Sequence, residues 1–162
     1  MLYFAYGSNL DIEDLARYCA AKKFPMPQLT NERLAYLPGH KLVFNSFSAS
    51  RMSGVANIQP TGQKNDRVYG ALYDVKEPYF KILDLKEGAP AAYERRRVEV
   101  ALPDGLHINN TVTYAVVPAR VMDQHVPPKW GYVMMIVKNG KRLGFPAEYV
   151  KQLESVKTTG TK

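Results

Sequence analysis

The 162-residue sequence predicts one α+β domain, a small antiparallel or mixed sheet with flanking helices and a strand count that suits closure into a barrel. Three observations predict it. Short segments rich in β-branched and aromatic residues, bounded by Gly, Pro, Asn or Asp, outnumber those with helical spacing. Most of them follow one another too closely for helical crossovers, which disfavours a doubly wound parallel sheet. A 46% hydrophobic composition over this length suits one core and needs no second domain.

In chain order, Leu2-Tyr3-Phe4-Ala5-Tyr6 reads as a buried strand broken at Gly7. Ser8 and Asp11 have the S-x-x-D spacing of a capping box, and Ile12, Leu15, Ala16 and Cys19 then recur on one face of a helix from Asp11 to about Lys22. Strands are expected at Leu34–Leu37, Lys41–Phe47, Gly54–Ile58 and Arg67–Val75. A helix from Pro78 to Glu87 ends at its expected C-cap, Gly88. Strands follow at Tyr93–Leu102 and Thr111–Val117, then helices at Pro128–Lys138 and from Pro146 to about Ser155. The domain is expected to span residues 1–156, with Lys157–Lys162 as a frayed tail.

Lys and Arg number 22 against 15 Asp and Glu, a formal charge of +7. Apart from Arg95-Arg96-Arg97 the basic residues are interleaved with acids and form no recognition motif, so the expectation is attraction of small anions and no specific nucleic acid. Arg96 shares its strand face with Val98 and Val100, although a solvated place at the strand's start accounts for it equally well. No apolar run approaches a membrane span and no leader-like start is present; with a single cysteine, Cys19, a soluble cytoplasmic protein without disulfides is expected. His40, His107 and His125 are isolated in turns, so neither a metal site nor a triad base is expected. Cys19 falls on an apolar helix face as a core thiol, Met134-Met135-Ile136 reads as core, and Trp130 and Tyr132, next to Pro127-Pro128, could line a pocket, although aromatics beside a Pro-rich turn more often pack.

Two stretches carry chemistry. In FAYGSNLD the bland reading is a strand, a turn and a capped helix, but a glycine turn ahead of a helix also presents backbone N–H groups that can hold a carboxylate. In PYFKILDLKEG, Tyr79, Leu83 and Glu87 recur every four residues, which sets Glu87 on the face of two core side chains. A carboxyl desolvated there has its pKa raised toward neutrality, as a proton shuttle needs. Asp84 lies off that stripe and Glu77 precedes the helix, so Glu87 is the better candidate.

Tyr3-Phe4-Ala5-Tyr6-Gly7-Ser8-Asn9-Leu10 and Glu87-Gly88 resemble the γ-glutamylcyclotransferase family in its classical branch, with its Y-G-S-N-L opening and its glutamate followed by glycine. Gly54-Val55-Ala56-Asn57-Ile58, Val68-Tyr69-Gly70-Ala71-Leu72-Tyr73, Tyr93 with Val98-Glu99-Val100, Thr113-Tyr114 and Gly144-Phe145-Pro146-Ala147-Glu148-Tyr149 extend the likeness in order over most of the chain. The resemblance implies a small mixed barrel with flanking helices and an enzyme that cyclises a γ-glutamyl group to 5-oxoproline with release of an amino acid or amine. It implies Glu87 as the one acid/base, and no metal or cofactor. It implies substrate binding by Tyr6-Gly7-Ser8-Asn9-Leu10 through backbone N–H groups, with Tyr3, Tyr6, Tyr93 and Trp130 around the substrate. Trp130 stands where the family carries a tyrosine after a Pro-rich turn, a departure that removes a hydroxyl. Alternatives are a γ-glutamylamine cyclotransferase, a pathway-specific γ-glutamyl deacylase, or a non-catalytic module that binds small acids. The expected partner is a small γ-glutamyl molecule, with no membrane, and the chain itself is expected as a monomer or homodimer.

Overall fold

A computed structural model describes residues 1–160. Among the described residues seven strands are formed: β1 (Leu2–Ala5), β2 (Leu29–Pro38), β3 (His40–Ser48), β4 (Ser53–Pro60), β5 (Arg67–Val75), β6 (Tyr93–Ala101) and β7 (His107–Val116). Four helices accompany them: α1 (Ile12–Lys22), α2 (Phe80–Glu87), α3 (Trp130–Leu143) and α4 (Ala147–Glu154). The α+β class expected from sequence is the one observed.

Five strands run in the order β1-β5-β2-β6-β7 and curl until β7 meets β1 again. The ring is not uniformly sewn. β5 with β2 and β6 with β7 pair along most of their lengths, whereas the β2–β6 seam has one registered pair, Tyr36 with Ala101, and the parallel β7–β1 seam has one, Tyr3 with Val112. The result is a curled mixed sheet that meets itself at thin seams rather than a regular barrel. β3 and β4 form a separate antiparallel hairpin.

Alternation along the strands sends Phe4, Leu37, Val68, Leu72, Val100 and Val112 into a core that Leu15, Phe80, Leu83 and Ile136 complete from the helices. Gly70 is needed inside the curl, because a Cβ there would stand 2.3 Å from the Ala5 carbonyl oxygen. Each of α1, α2 and α3 stops at a left-handed residue, Lys23, Gly88 and Gly144 respectively, and Gly88 therefore fixes where Glu87 stands.

Three expectations change. The cap of α1 is Asp11, whose Oδ1 accepts from the N–H groups of Glu13 and Asp14, while Ser8 opens a 3₁₀ turn of its own; the two-turn start displaces the capping box by one step. On α1 only Leu15 and Cys19 are buried, with Ile12 exposed. Part of the stretch expected to fray is held: the Thr159 N–H donates to the Pro128 carbonyl, the Trp130 N–H donates to the Thr159 carbonyl, and His125 Nε2 meets the Lys157 carbonyl. Residues 161 and 162 lie outside the described residues.

Candidate active site

Beside the β7–β1 seam lies a cavity of about 820 Å³. Its wall is built from the turn after β1, the last turn of α2, the β3–β4 hairpin and the start of α3. Tyr3, Tyr6, Gly7, Ser8, Asn9, Glu87 and Tyr93 all line it, so the structure brings together the strand-turn stretch and the α2 glutamate, nearly eighty residues apart in sequence.

Their contacts are direct. Asn9 is 2% exposed, and its Nδ2 donates at 2.7 Å both to Glu87 Oε1 and to the Tyr3 hydroxyl. Its Oδ1 is buried and has no partner among the described residues. The Tyr6 hydroxyl donates to the Tyr114 carbonyl at 2.6 Å, and that of Tyr93 to the Ala56 carbonyl at 2.7 Å. These phenols brace the strands as well as lining the cavity. Tyr114 also lines it, its hydroxyl bonded to Asp84.

Burial pushes the Glu87 carboxyl above the ordinary glutamate range; the charges of Lys86 and Arg51 and the Asn9 hydrogen bond pull it back, and Asp14 pushes it up again. Its place in the last turn of α2 works in the same direction as burial, since carbonyl oxygens at a helix C-terminus disfavour a negative charge. Asp84, by contrast, is desolvated yet held below the usual range by a bidentate Arg95 and the Tyr114 hydroxyl, which leaves it a structural ion-pair partner.

The turn offers donors, though fewer than a whole loop of them. The Leu10 N–H donates to the Gly7 carbonyl and the Asp11 N–H to the Ser8 carbonyl, and α1 is closed by its own Asp11. Among the described residues, the N–H groups of Gly7, Ser8 and Asn9 have no such partner.

Two expected residues are elsewhere. Leu10 is fully buried in the core and does not reach the cavity. Trp130 is also outside it; the residue that lines it is Tyr132. At 3.6 residues per turn, two positions rotate a side chain by roughly 200°, so Trp130 and Tyr132 face opposite ways. The hydroxyl thought lost at Trp130 is present on Tyr132, where it accepts the Ala56 N–H at 3.3 Å. Arg96 pairs with Glu94 in a half-exposed position and does not turn toward the cavity.

Sequence reasoning also passed over a cluster of charges at the wall. Lys86 Nζ lies 2.9 Å from Asp14 Oδ2 and 3.1 Å from Ser8 Oγ, and Arg51 reaches the same Asp14 oxygen at 3.2 Å. The only signal was the acidic first turn of α1 and a lysine beside Glu87; no spacing links these three. Among the described residues no cluster of His, Cys, Asp and Glu could hold a metal ion. Cys19 is a buried free thiol, as expected; of the histidines expected in turns, His40 and His107 instead open β3 and β7, and His125 lies in the irregular segment before α3.

The sequence and the fold both have known relatives. Over 99% of its length the chain is 28% identical to the γ-glutamylcyclotransferase of Bos taurus, covering 81% of that protein. A solved structure of a γ-glutamyl cyclotransferase superposes with a TM-score of 0.78 at 27% identity, over 100% of this chain and 90% of that one. The yeast cyclotransferase specific to glutathione shares the fold, with a TM-score of 0.66 at 14% identity over 94% of this chain and 93% of that one. The family model described as AIG2-like matches residues 67–153, more than half of the sequence and the part that contributes Glu87, Tyr93, Tyr114 and Tyr132 to the cavity. By that match the chain belongs to the AIG2-like family.

Proposed function

We propose that this protein is a γ-glutamylcyclotransferase, closing a γ-glutamyl group to 5-oxoproline and expelling the amino acid or amine attached to it, with Glu87 moving the protons. The observation that carries the reading is the Asn9–Glu87 pair: a carboxyl held above its usual pKa range, at the wall of a cavity, hydrogen-bonded to the turn that follows β1.

The chemistry needs little else. The substrate α-ammonium must lose a proton before its nitrogen attacks the γ-carbonyl carbon. A ring C–N bond then forms, and the C–N bond to the departing group breaks. Of the three hydrogens on the ammonium, one stays on the ring nitrogen and two end on the departing nitrogen. Glu87 as carboxylate accepts the first and delivers it to the leaving nitrogen; the second follows by the same route. The unpartnered Asn9 Oδ1 suits an ammonium donor, and the free N–H groups of Gly7, Ser8 and Asn9 suit the substrate carboxylate or the oxyanion that develops on the γ-carbonyl.

The test is 5-oxoproline release from γ-Glu-Ala, γ-Glu-ε-Lys and glutathione by wild type and Glu87→Gln. At least one substrate should be cyclised by the wild type, with loss of roughly 10²-fold or more in the variant. An active Glu87→Gln would remove Glu87 from the mechanism, and silence of folded wild type on all three and on γ-Glu-Leu would remove the reaction.

A further inference from the structure

The wall of the cavity beyond Glu87 has a composition of its own. Five basic side chains, Arg17, Lys22, Arg51, Lys86 and Arg120, line the cavity against two carboxylates, Asp14 and Glu87. Asp14 serves three of the five at once: Lys86 at 2.9 Å, Arg51 at 3.2 Å and Arg17 at 3.6 Å. One carboxylate cannot neutralise three cations, so positive charge is left over at this end.

Arg51 is the best placed to use it. It sits in the turn between β3 and β4, its guanidinium lies 4.9 Å above the Tyr132 ring, and its side chain is one-third exposed. Of the five N–H donors of a guanidinium, one contact is formed among the described residues, to Asp14, whose oxygen Lys86 already holds more closely. The same cavity is also lined by apolar side chains that water touches: Phe47 is 46% exposed and Leu85 56%. The cavity volume of about 820 Å³ also exceeds what a γ-glutamyl group alone would fill, falling in the upper part of the range of about 300–1,000 Å³ that takes drug-sized ligands.

We propose that Arg51 is the receptor for a carboxylate on the departing group, and that Phe47 and Leu85 flank an apolar side chain beside it. The leaving group is then an apolar amino acid rather than a bare amine. This rests on the cyclisation reading for the placement of the γ-glutamyl half. The remaining surface supplies what the other half needs: a planar donor for a second carboxylate and apolar walls next to it.

Two compounds that differ only in that carboxylate decide it: γ-Glu-Leu and the γ-glutamyl amide of 3-methylbutylamine, which is leucine without its carboxylate. Wild type should prefer γ-Glu-Leu in kcat/KM by about tenfold or more, the scale of one charge-assisted hydrogen bond, with the difference mainly in KM. In Arg51→Gln the ratio should fall to near one, and Arg51→Lys, which keeps a point charge, should recover part of it. Equal use of both compounds by the wild type, or a ratio that survives Arg51→Gln, overturns the subsite while leaving cyclisation intact. Calorimetric binding of the same two compounds to Glu87→Gln reads the subsite without turnover. A preference for γ-Glu-Leu there supports it even if no 5-oxoproline is ever made, and equal affinity overturns it.

Discussion

At 6% side-chain exposure Lys86 lies deeper than a lysine rests without a partner, and it has two, Asp14 and Ser8. It therefore ties the turn after β1 to α1 from the residue next to Glu87. Its charge is the largest influence drawing the Glu87 carboxyl back toward the ordinary range. Removing that charge must let burial push Glu87 further up, so Lys86→Met should move the acid limb of kcat/KM to higher pH; an unmoved limb would show that Glu87 is not the group titrating. Asp14 keeps Arg51 in that variant, which limits the damage to the fold. Tyr132 makes a second case. Tyr132→Phe keeps the ring but leaves the buried Ala56 N–H without its acceptor, and urea unfolding should show a loss of about 1–3 kcal/mol. Glu87, Asn9 and Tyr3 could be read from sequence because each stands in a short motif. Tyr132 was legible only as one of two aromatics, with Trp130, beside the Pro-rich turn, and only the phase of α3 tells which of them reaches the cavity.

Among the elements, the β3–β4 hairpin shows how close packing sets a residue type. Gly54 faces the passing chain at Val126, where an added Cβ would lie 1.8 Å from the carbonyl oxygen, and the Gly54 N–H donates to the Pro127 carbonyl. Gly54→Ala must push backbone against backbone; a loss of about 1–3 kcal/mol is expected in urea unfolding, with faster amide exchange at Met122 and Val126, whose N–H groups bond to β3. The strand and helix pattern was legible wherever apolar residues alternated between turn signals, as in Arg67–Val75, which forms with the expected bounds. It failed where an element's end is polar or solvated. β2 begins at Leu29 rather than Leu34 because Thr30-Asn31-Glu32 sits on an exposed, bulged edge, and β7 begins at His107 for a similar reason. α3 runs to Leu143 through Asn139-Gly140, which looks like a stop in sequence. There Gly140 makes room for the Phe145 ring, and Asn139 bonds back to the Met135 carbonyl within the helix.

For the whole molecule, an ion pair outside the cavity ties the sheet to α3. Arg142 of α3 grips Glu32 of β2 with two hydrogen bonds, and the Tyr73 hydroxyl of β5 adds a third. Arg142 chiefly holds the Glu32 carboxyl below its ordinary range. A carboxyl lowered in the folded state contributes stability above its unfolded pKa and loses it as pH falls through the folded one. Arg142→Ala should therefore lower Tm at neutral pH, with the gap to wild type closing below the ordinary glutamate range; a gap constant with pH would assign the loss to packing alone. Among the described residues no helix is long and apolar enough to cross a membrane. The parallel seam between β1 and β7 was the part of the architecture least legible in sequence, since nothing in either strand's pattern names its partner.

That seam has a consequence for the time course of folding. Phe4 receives the Thr113 hydroxyl and Tyr6 donates to Tyr114 across more than a hundred residues, while Asn9 meets Glu87 across nearly eighty. Loops of that length close late, after local hairpins and helices have formed. On a ribosome the first strand emerges long before any of its partners exist. A chain refolding from denaturant should recover its far-UV circular dichroism ahead of its capacity to bind ligand, which makes ligand binding a stopwatch for the last step of assembly.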